Sequence, residues 1–204
     1  SVVSCRRRPR LDDTIAALPK GISRHIVRMV HLSDYVVAIK ETTAEMASRE
    51  YEMLRQLERL DVPCVEPVAV VTNRTDDRGQ QLDPVLVTRH LRFSLPYRAV
   101  YSQRLRPETA TRLIDALLVR LHMVGFFWGD VSLSNTLFRR DARAFAAYLV
   151  DAETGQLHSS LSDGQREHDL EIGRVNIAGE LFDLQAGDRL EDDIDPIAVS
   201  ERIV

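Results

Sequence analysis

Short apolar runs rich in β-branched residues, with one longer amphipathic segment between them, organise the first ninety residues. The runs predict two strand hairpins, with strands over 25–32, 35–40, 68–72 and 85–89. Between the hairpins, Thr42 or Thr43 caps a segment that extends to Leu60 and repeats its apolar residues at about 100° per residue, which is typical of a helix. The order strand, strand, helix, strand, strand predicts a small antiparallel sheet with one helix packed on it.

The spacing of the apolar residues changes in the second half of the chain. Apolar residues at helical spacing predict one helix over 107–124, which ends before Gly125, and a last helix over 164–185. The main exception to helical spacing is the stretch 136–151, in which Leu137-Phe138 and 146–150 are predicted to pair as strands around a polar turn over 139–143. We therefore expect this half to be mostly helical.

Composition excludes several classes of protein. The chain has 204 residues and a net charge of −4 at pH 7, so no overall positive field attracts nucleic acid or an anionic membrane. No apolar run reaches the roughly 18 residues of a membrane span. Two cysteines, Cys5 and Cys64, do not suit a secreted scaffold held by disulfides, which indicates a reducing, cytoplasmic location, and they also lack the spacing of a metal site. The absence of an initial Met suggests a piece of a longer polypeptide. Only two of the 27 basic residues are lysines, Lys20 and Lys40.

The segment around Asp130 carries the clearest chemistry. Asp130 and Asn135 lie between a predicted helix and a predicted strand, and Asp151 ends the next strand. Phosphoryl transfer from a nucleotide needs this set of groups: a carboxylate that orients the attacking hydroxyl, and oxygen ligands that hold Mg²⁺ on the phosphates. The spacing resembles the catalytic loop of protein-kinase-like enzymes, and the stretch 37–40 matches their V-A-I-K strand motif in every letter.

Glu50 is a candidate partner for Lys40. On a helical wheel that starts at Met46, Glu50 falls at roughly 40°, within the apolar stripe of the helix. A buried carboxylate needs a cation beside it, and Lys40 on the neighbouring strand can supply one. The alternative is a glutamate at the edge of the stripe that reaches solvent.

The resemblance extends over nearly the whole chain. The sequence is similar to a bacterial domain family described as lipopolysaccharide-kinase-like, on the segments Ser23-Arg24-His25, Arg49-Glu50-Tyr51, Ser94-Leu95-Pro96-Tyr97-Arg98, Trp128-Gly129-Asp130, Asp151-Ala152-Glu153 and 163–169. This resemblance implies an α+β, bilobal protein-kinase-like fold. It implies an N-lobe over 15–90, a hinge over 89–92 and a C-lobe over 91–204. The segment 1–14, which is basic and then acidic and is broken by Pro9, is predicted to be irregular.

The resemblance also implies roles for single residues, with ATP and Mg²⁺ as cofactors. Lys40 would hold the α- and β-phosphates, and Glu50 would fix Lys40. Asp130 would be the base, and Asn135 and Asp151 would bind magnesium.

Three departures from the kinase pattern qualify these roles. The sequence Asp151-Ala152-Glu153 replaces D-F-G and is similar to the D-x-E of aminoglycoside phosphotransferases, which adds Glu153 as a possible metal ligand. Trp128 stands where such enzymes have His, and an indole cannot accept a hydrogen bond, so any bracing must come from elsewhere. Only seventeen residues separate Asp151 from Asp169, which leaves no room for an ordinary activation loop and argues against a protein substrate.

The phosphate-binding loop is a fourth departure from the kinase pattern, which has a glycine-rich sequence there. It is reduced to Gly21, with Lys20 and Arg24 beside it as candidates that could supply charge instead of backbone amides. The alternative for Lys20 is an exposed lysine in coil.

Asp169 has two possible roles. In the family it could match the aspartate that braces the catalytic loop. The alternative is a solvated helix face that it shares with Asn176, Glu180 and Asp183.

These observations favour an ATP- and Mg²⁺-dependent phosphotransferase that acts on a small-molecule or saccharide acceptor, with nucleotide and acceptor as its partners. The alternatives are a pseudokinase that binds nucleotide or serves as a scaffold, which the glycine-poor loop and Trp128 would favour, and a structural domain with accidental motifs.

Overall fold

The computed structural model of the protein describes residues 27–32, 34–102, 106–141 and 144–203. Gly21 and Arg24, together with Lys20 and the segment 1–14, lie outside the described residues. The strands are β1 (Val27–Leu32), β2 (Tyr35–Glu41), β3 (Pro67–Val71), β4 (Arg74–Thr75), β5 (Gln81–Leu82), β6 (Val85–Arg89), β7 (Ser94–Pro96), β8 (Phe126–Phe127), β9 (Thr136–Asp141), β10 (Ala144–Leu149) and β11 (Gln156–Leu157). The helices are α1 (Ala44–Arg59), α2 (Tyr97–Ser102), α3 (Pro107–Met123), α4 (Asp163–Ala186) and α5 (Pro196–Ser200).

The two predicted hairpins form one antiparallel sheet in the order β1-β2-β6-β3. Helix α1 begins where the Thr43 side chain accepts a hydrogen bond from the Met46 amide, and it buries Leu54 and Leu57. In β2, Lys40 lies opposite Leu86 of β6, and both are buried. Because neighbouring residues of a strand point to opposite faces, this register turns Lys40 away from the apolar cluster that includes Val37 on the other face.

The second half of the chain is mostly helical, as predicted, and the predicted pairing of Leu137-Phe138 with 146–150 is confirmed in β9 and β10. Strand β7 and the pair β8 and β11 are additions that the sequence did not indicate. Strands β10, β9 and β7 form a three-stranded sheet, and β8 pairs with β11. The predicted polar turn over 139–143 is too long, because β9 continues to Asp141. Arg139 is accommodated within the strand since its guanidinium lies over the Tyr148 ring, 4.6 Å from the centroid, and donates to the Tyr148 hydroxyl.

Backbone hydrogen bonds join the segment that follows α1 to the last residue of β10. The Val65 amide donates to the Leu149 carbonyl at 2.9 Å, and the Leu149 amide donates to the Pro63 carbonyl at 2.9 Å. A continuous apolar core runs from α1 into α3 and α4. These contacts bring Asp151, two residues beyond β10, close to α1 and β2. Within the described part of the chain, no helix is long and apolar enough to cross a membrane.

Candidate active site

The Lys40 ammonium is surrounded by three carboxylates. Its Nζ lies 2.9 Å from Glu50 Oε2, 2.8 Å from Asp151 Oδ2 and 2.9 Å from Glu153 Oε2. Lys40 is 8% exposed and Glu50 is 1% exposed. The alternative of a solvent-facing Glu50 is therefore wrong. We call these four residues the Lys40 cluster.

Within the Lys40 cluster the acidic side chains outnumber the one basic side chain. Burial raises the pKa of Glu50 to about 7, and the nearby Asp151 carboxylate adds to this rise, while Lys40 opposes it. Burial alone would lower the pKa of Lys40, but Glu50 and Asp151 together outweigh that effect and raise it above its usual value. Lys40 thus stays charged, and one positive charge faces three groups that can carry a negative charge.

The carboxylates of the Lys40 cluster fit a divalent cation. One oxygen atom from each of Glu50, Asp151 and Glu153 lies within 4.8 Å of the other two. Carboxylate oxygens are ligands that Mg²⁺ prefers, and a divalent cation would reduce the repulsion among the three carboxylates. Asn135, the other expected metal ligand, is placed by the catalytic loop described next.

The loop between β8 and β9 carries Asp130 and Asn135. It passes through Gly129, whose φ of 74° is a conformation that favours glycine. Asn135 Nδ2 donates to Asp130 Oδ2 at 2.9 Å and to the Asp130 carbonyl at 3.1 Å. From the opposite side, Asn176 Nδ2 lies 3.3 Å from Asp130 Oδ1. The Asp130 carboxylate is therefore held between two neutral amides.

Asp169 of α4 braces the start of the same loop. Its side chain is fully buried and accepts hydrogen bonds from the amides of Trp128 at 2.9 Å and Gly129 at 2.7 Å. Its Oδ2 also lies 3.0 Å from His122 Nε2. The alternative of a solvated face is wrong for Asp169, because this face of α4 packs against the loop. On that face only Asp183 is exposed.

Trp128 corrects a second expectation. The indole Nε1 donates to the Asp151 carbonyl at 3.3 Å, so Trp128 itself connects the loop between β8 and β9 to the segment after β10. An indole cannot accept a hydrogen bond, but a carbonyl requires only a donor. The expectation that bracing must come from a residue other than Trp128 is therefore wrong.

Two residues at the site were missed as functional candidates, Asn176 and Glu180. Glu180 accepts hydrogen bonds from the amides of Leu133 at 2.7 Å and Ser134 at 2.8 Å, and burial raises its pKa. Their helical spacing from Asp169 was visible in the sequence. A shared polar face, however, does not reveal whether it meets solvent or a neighbouring loop.

The comparisons with known proteins agree with the kinase-like fold. The profile of the Lipopolysaccharide kinase (Kdo/WaaP) family matches residues 20–174. A search of curated proteins finds no match. Among solved structures, the chain is similar to "WaaP in complex with acyl carrier protein", with a TM-score of 0.56 and 18% identity over 91% of this chain and 88% of that chain. At this identity the likeness shows the fold alone, and it confirms the predicted α+β, bilobal protein-kinase-like fold.

Proposed function

We propose that this chain, which belongs to the Lipopolysaccharide kinase (Kdo/WaaP) family, transfers the γ-phosphate of ATP to a hydroxyl group of a saccharide such as lipopolysaccharide. The observation that carries this proposal is the proximity of Lys40 to Glu50, Asp151 and Glu153, with the Asp130 loop tied to the same region through Trp128. Phosphoryl transfer requires a site that binds the phosphates and a divalent cation, and it also requires a carboxylate base.

Each residue has a role in the proposed reaction. Lys40 binds the α- and β-phosphates and is held in place by Glu50. Asp151, Glu153 and the side-chain oxygen of Asn135 would hold Mg²⁺, which neutralises charge on the phosphates when bound. Asp151 and Glu153 bond to Lys40 in the structure. With the nucleotide bound, these carboxylates would hold the cation and Lys40 would hold the phosphates.

Asp130 is the proposed base. It orients the acceptor hydroxyl and accepts its proton as the hydroxyl oxygen bonds to the γ-phosphorus and the bond from that phosphorus to the β–γ bridging oxygen breaks. ADP and the phosphorylated acceptor are the products.

Other parts of the proposal concern regions beyond the Lys40 cluster. Gly21 and Arg24 are proposed to contact the phosphates from the N-terminal side. The division into an N-lobe over 15–90 and a C-lobe over 91–204, and a cytoplasmic location, are proposals as well.

Slow ATP turnover, with water in place of the acceptor, tests the function. The wild type should release ADP in a Mg²⁺-dependent manner, and Asp130→Asn should reduce the rate at least about 100-fold while still binding MgADP. Glu171→Gln, on the exposed side of α4, is the matched control and should behave as wild type. Equal turnover in Asp130→Asn and the wild type would remove Asp130 from the proposed role.

The pseudokinase alternative now has less support. Trp128, one of its two arguments, donates a hydrogen bond that joins the two halves of the site. The other argument, the glycine-poor loop, concerns residues outside the described part of the chain. MgADP binding without any ATP turnover would favour the pseudokinase.

A further inference from the structure

One line of residues along α4 faces the catalytic loop. Asp169, Gly173, Asn176 and Glu180 fall within a sector of about 60° on a helical wheel. Three of them bond to the loop, as described above, and the fourth lets the helix approach it closely. A Cβ atom on Gly173 would lie only 3.0 Å from Val131 Cγ1. We call these four residues the α4 stripe.

Asn176 is the member of the α4 stripe that contacts the Asp130 carboxylate. Its Nδ2 lies 3.3 Å from Asp130 Oδ1 and 3.1 Å from the Val131 carbonyl. Because the amide also bonds to the loop backbone, its position relative to Asp130 is fixed at two points. Asn135 Nδ2 holds the other carboxylate oxygen, Oδ2, at 2.9 Å.

The two amides differ in what supports them. Asn135 lies in the loop itself and is a proposed magnesium ligand, so ligand binding can alter its contact with Asp130. Asn176 lies near the middle of a 24-residue helix that starts with a capping box formed by Ser162 and Gln165. The contact from Asn176 therefore does not depend on the cation.

We propose that Asn176 is a positioning residue for Asp130, which sets the direction of the carboxylate toward the acceptor hydroxyl. The inference rests on the proposed function and adds to it a residue outside the kinase motifs. A neutral amide suits this role. A lysine here would stabilise the ionised carboxylate and weaken it as a base, and a second carboxylate would repel it.

Two substitutions separate positioning from general structural support. Asn176→Leu keeps a similar volume but removes the donor, so the maximal rate of ATP turnover should fall about 10- to 100-fold with little change in the KM for MgATP or the Kd for MgADP. Asn176→Asp keeps the shape of the side chain but places a carboxylate against Asp130, so the rate should fall at least as far as in Asn176→Leu, again with little change in the KM for MgATP. A merely structural role would not lower the rate while leaving nucleotide binding unchanged. Glu171→Gln should leave both quantities unchanged.

A double-mutant cycle provides a readout that does not depend on activity. Asn176→Leu should lower the urea midpoint of unfolding by more in the wild type than in Asp130→Ala, because the contact is already lost there. Equal shifts in both backgrounds, or wild-type turnover in Asn176→Leu, would overturn the inference alone. If the wild type binds no MgADP or does not turn over ATP, the proposed function fails and the positioning role fails with it.

Discussion

Asp151 and Asp169 are held in opposite ways, although Trp128 contacts both residues. Asp169 is fully buried, and its described partners are two backbone amides and His122. The Asp151 side chain is 27% exposed and shares the Lys40 ammonium with Glu50 and Glu153. Both carboxylates have a donor at each oxygen, since the Glu153 amide donates to Asp151 Oδ1 at 2.9 Å, but only Asp151 shares its cationic donor with two other carboxylates.

This difference separates two tasks of the site. The catalytic loop is preorganised, because α4 supplies its hydrogen-bond partners before any ligand binds. The Lys40 cluster instead keeps carboxylates close together in a way that a cation would relieve. Binding sites that hold like charges close together commonly lower the stability of the folded protein. Substitutions in the two regions should therefore have opposite consequences for folding and for ligand binding.

The largest effect is expected at Asp169. Asp169→Ala leaves two backbone amides and His122 without their acceptor in a buried position, so the free energy of unfolding should fall by about 3–5 kcal/mol. Urea denaturation followed by circular dichroism measures this loss. A loss below about 1 kcal/mol would show that the brace contributes little to stability.

The next largest effect is the pH dependence of the unfolding free energy that Glu50 causes. The pKa of Glu50 is raised from 4.5 to about 7 in the folded protein, so between these values the folded state binds more protons than the unfolded state. Stability from this group is therefore present below pH 4.5 and is lost as the pH rises to 7, by up to about 1 kcal/mol per pH unit. Glu50→Gln cannot titrate, so the difference in unfolding free energy between wild type and variant isolates this change. A difference that stays constant over this range would contradict the raised pKa.

A smaller effect is expected at Asp151. In Asp151→Asn, Lys40 keeps Glu50 and Glu153 as partners and the crowding of negative charge decreases, so the unfolding free energy without ligands should stay within about 1 kcal/mol of the wild type. The same urea denaturation, run beside Asp169→Ala, measures it. If both aspartate variants lose stability equally, the contrast between the two regions is wrong.

The smallest effect on stability is expected for substitutions at two glycines of α4. Gly179 has open space around its Cα, so Gly179→Ala should stabilise the protein by about 0.5–1 kcal/mol through helix propensity. Gly173→Ala offers the same gain in propensity but presses on Val131, so it should stabilise less and should slow ATP turnover. Thermal unfolding and the turnover assay on the pair measure both effects. Identical behaviour of the two variants would show that close approach at Gly173 is unimportant.

Local patterns in the sequence predicted the parts of the molecule that local patterns determine. The β-branched runs and the helical stripe predicted β2 and α1, and the position of Glu50 within that stripe predicted its burial beside Lys40. The match of 37–40 to the kinase strand motif and the spacing of Asp130 and Asn135 indicated the site.

Long-range packing determines what the sequence did not reveal. Strand β8 has two residues and exists because it pairs with β11, about thirty residues later. The polar face of α4 read equally well as solvated or as packed, because periodicity does not identify the neighbour of a face. The donor role of Trp128 depends on where Asp151 lies after the chain has folded.

Thermal unfolding with and without ligand tests the central claim, a site for ATP and Mg²⁺ built on the Lys40 cluster. A ligand that binds only the folded state at 100 times its Kd stabilises it by about 2.7 kcal/mol, so ATP with Mg²⁺ should raise the Tm of the wild type by several degrees. ATP without Mg²⁺ should raise it much less, and Asp151→Ala should abolish the Mg²⁺-dependent part. No shift in the wild type, or an equal shift in Asp151→Ala, would contradict the claim.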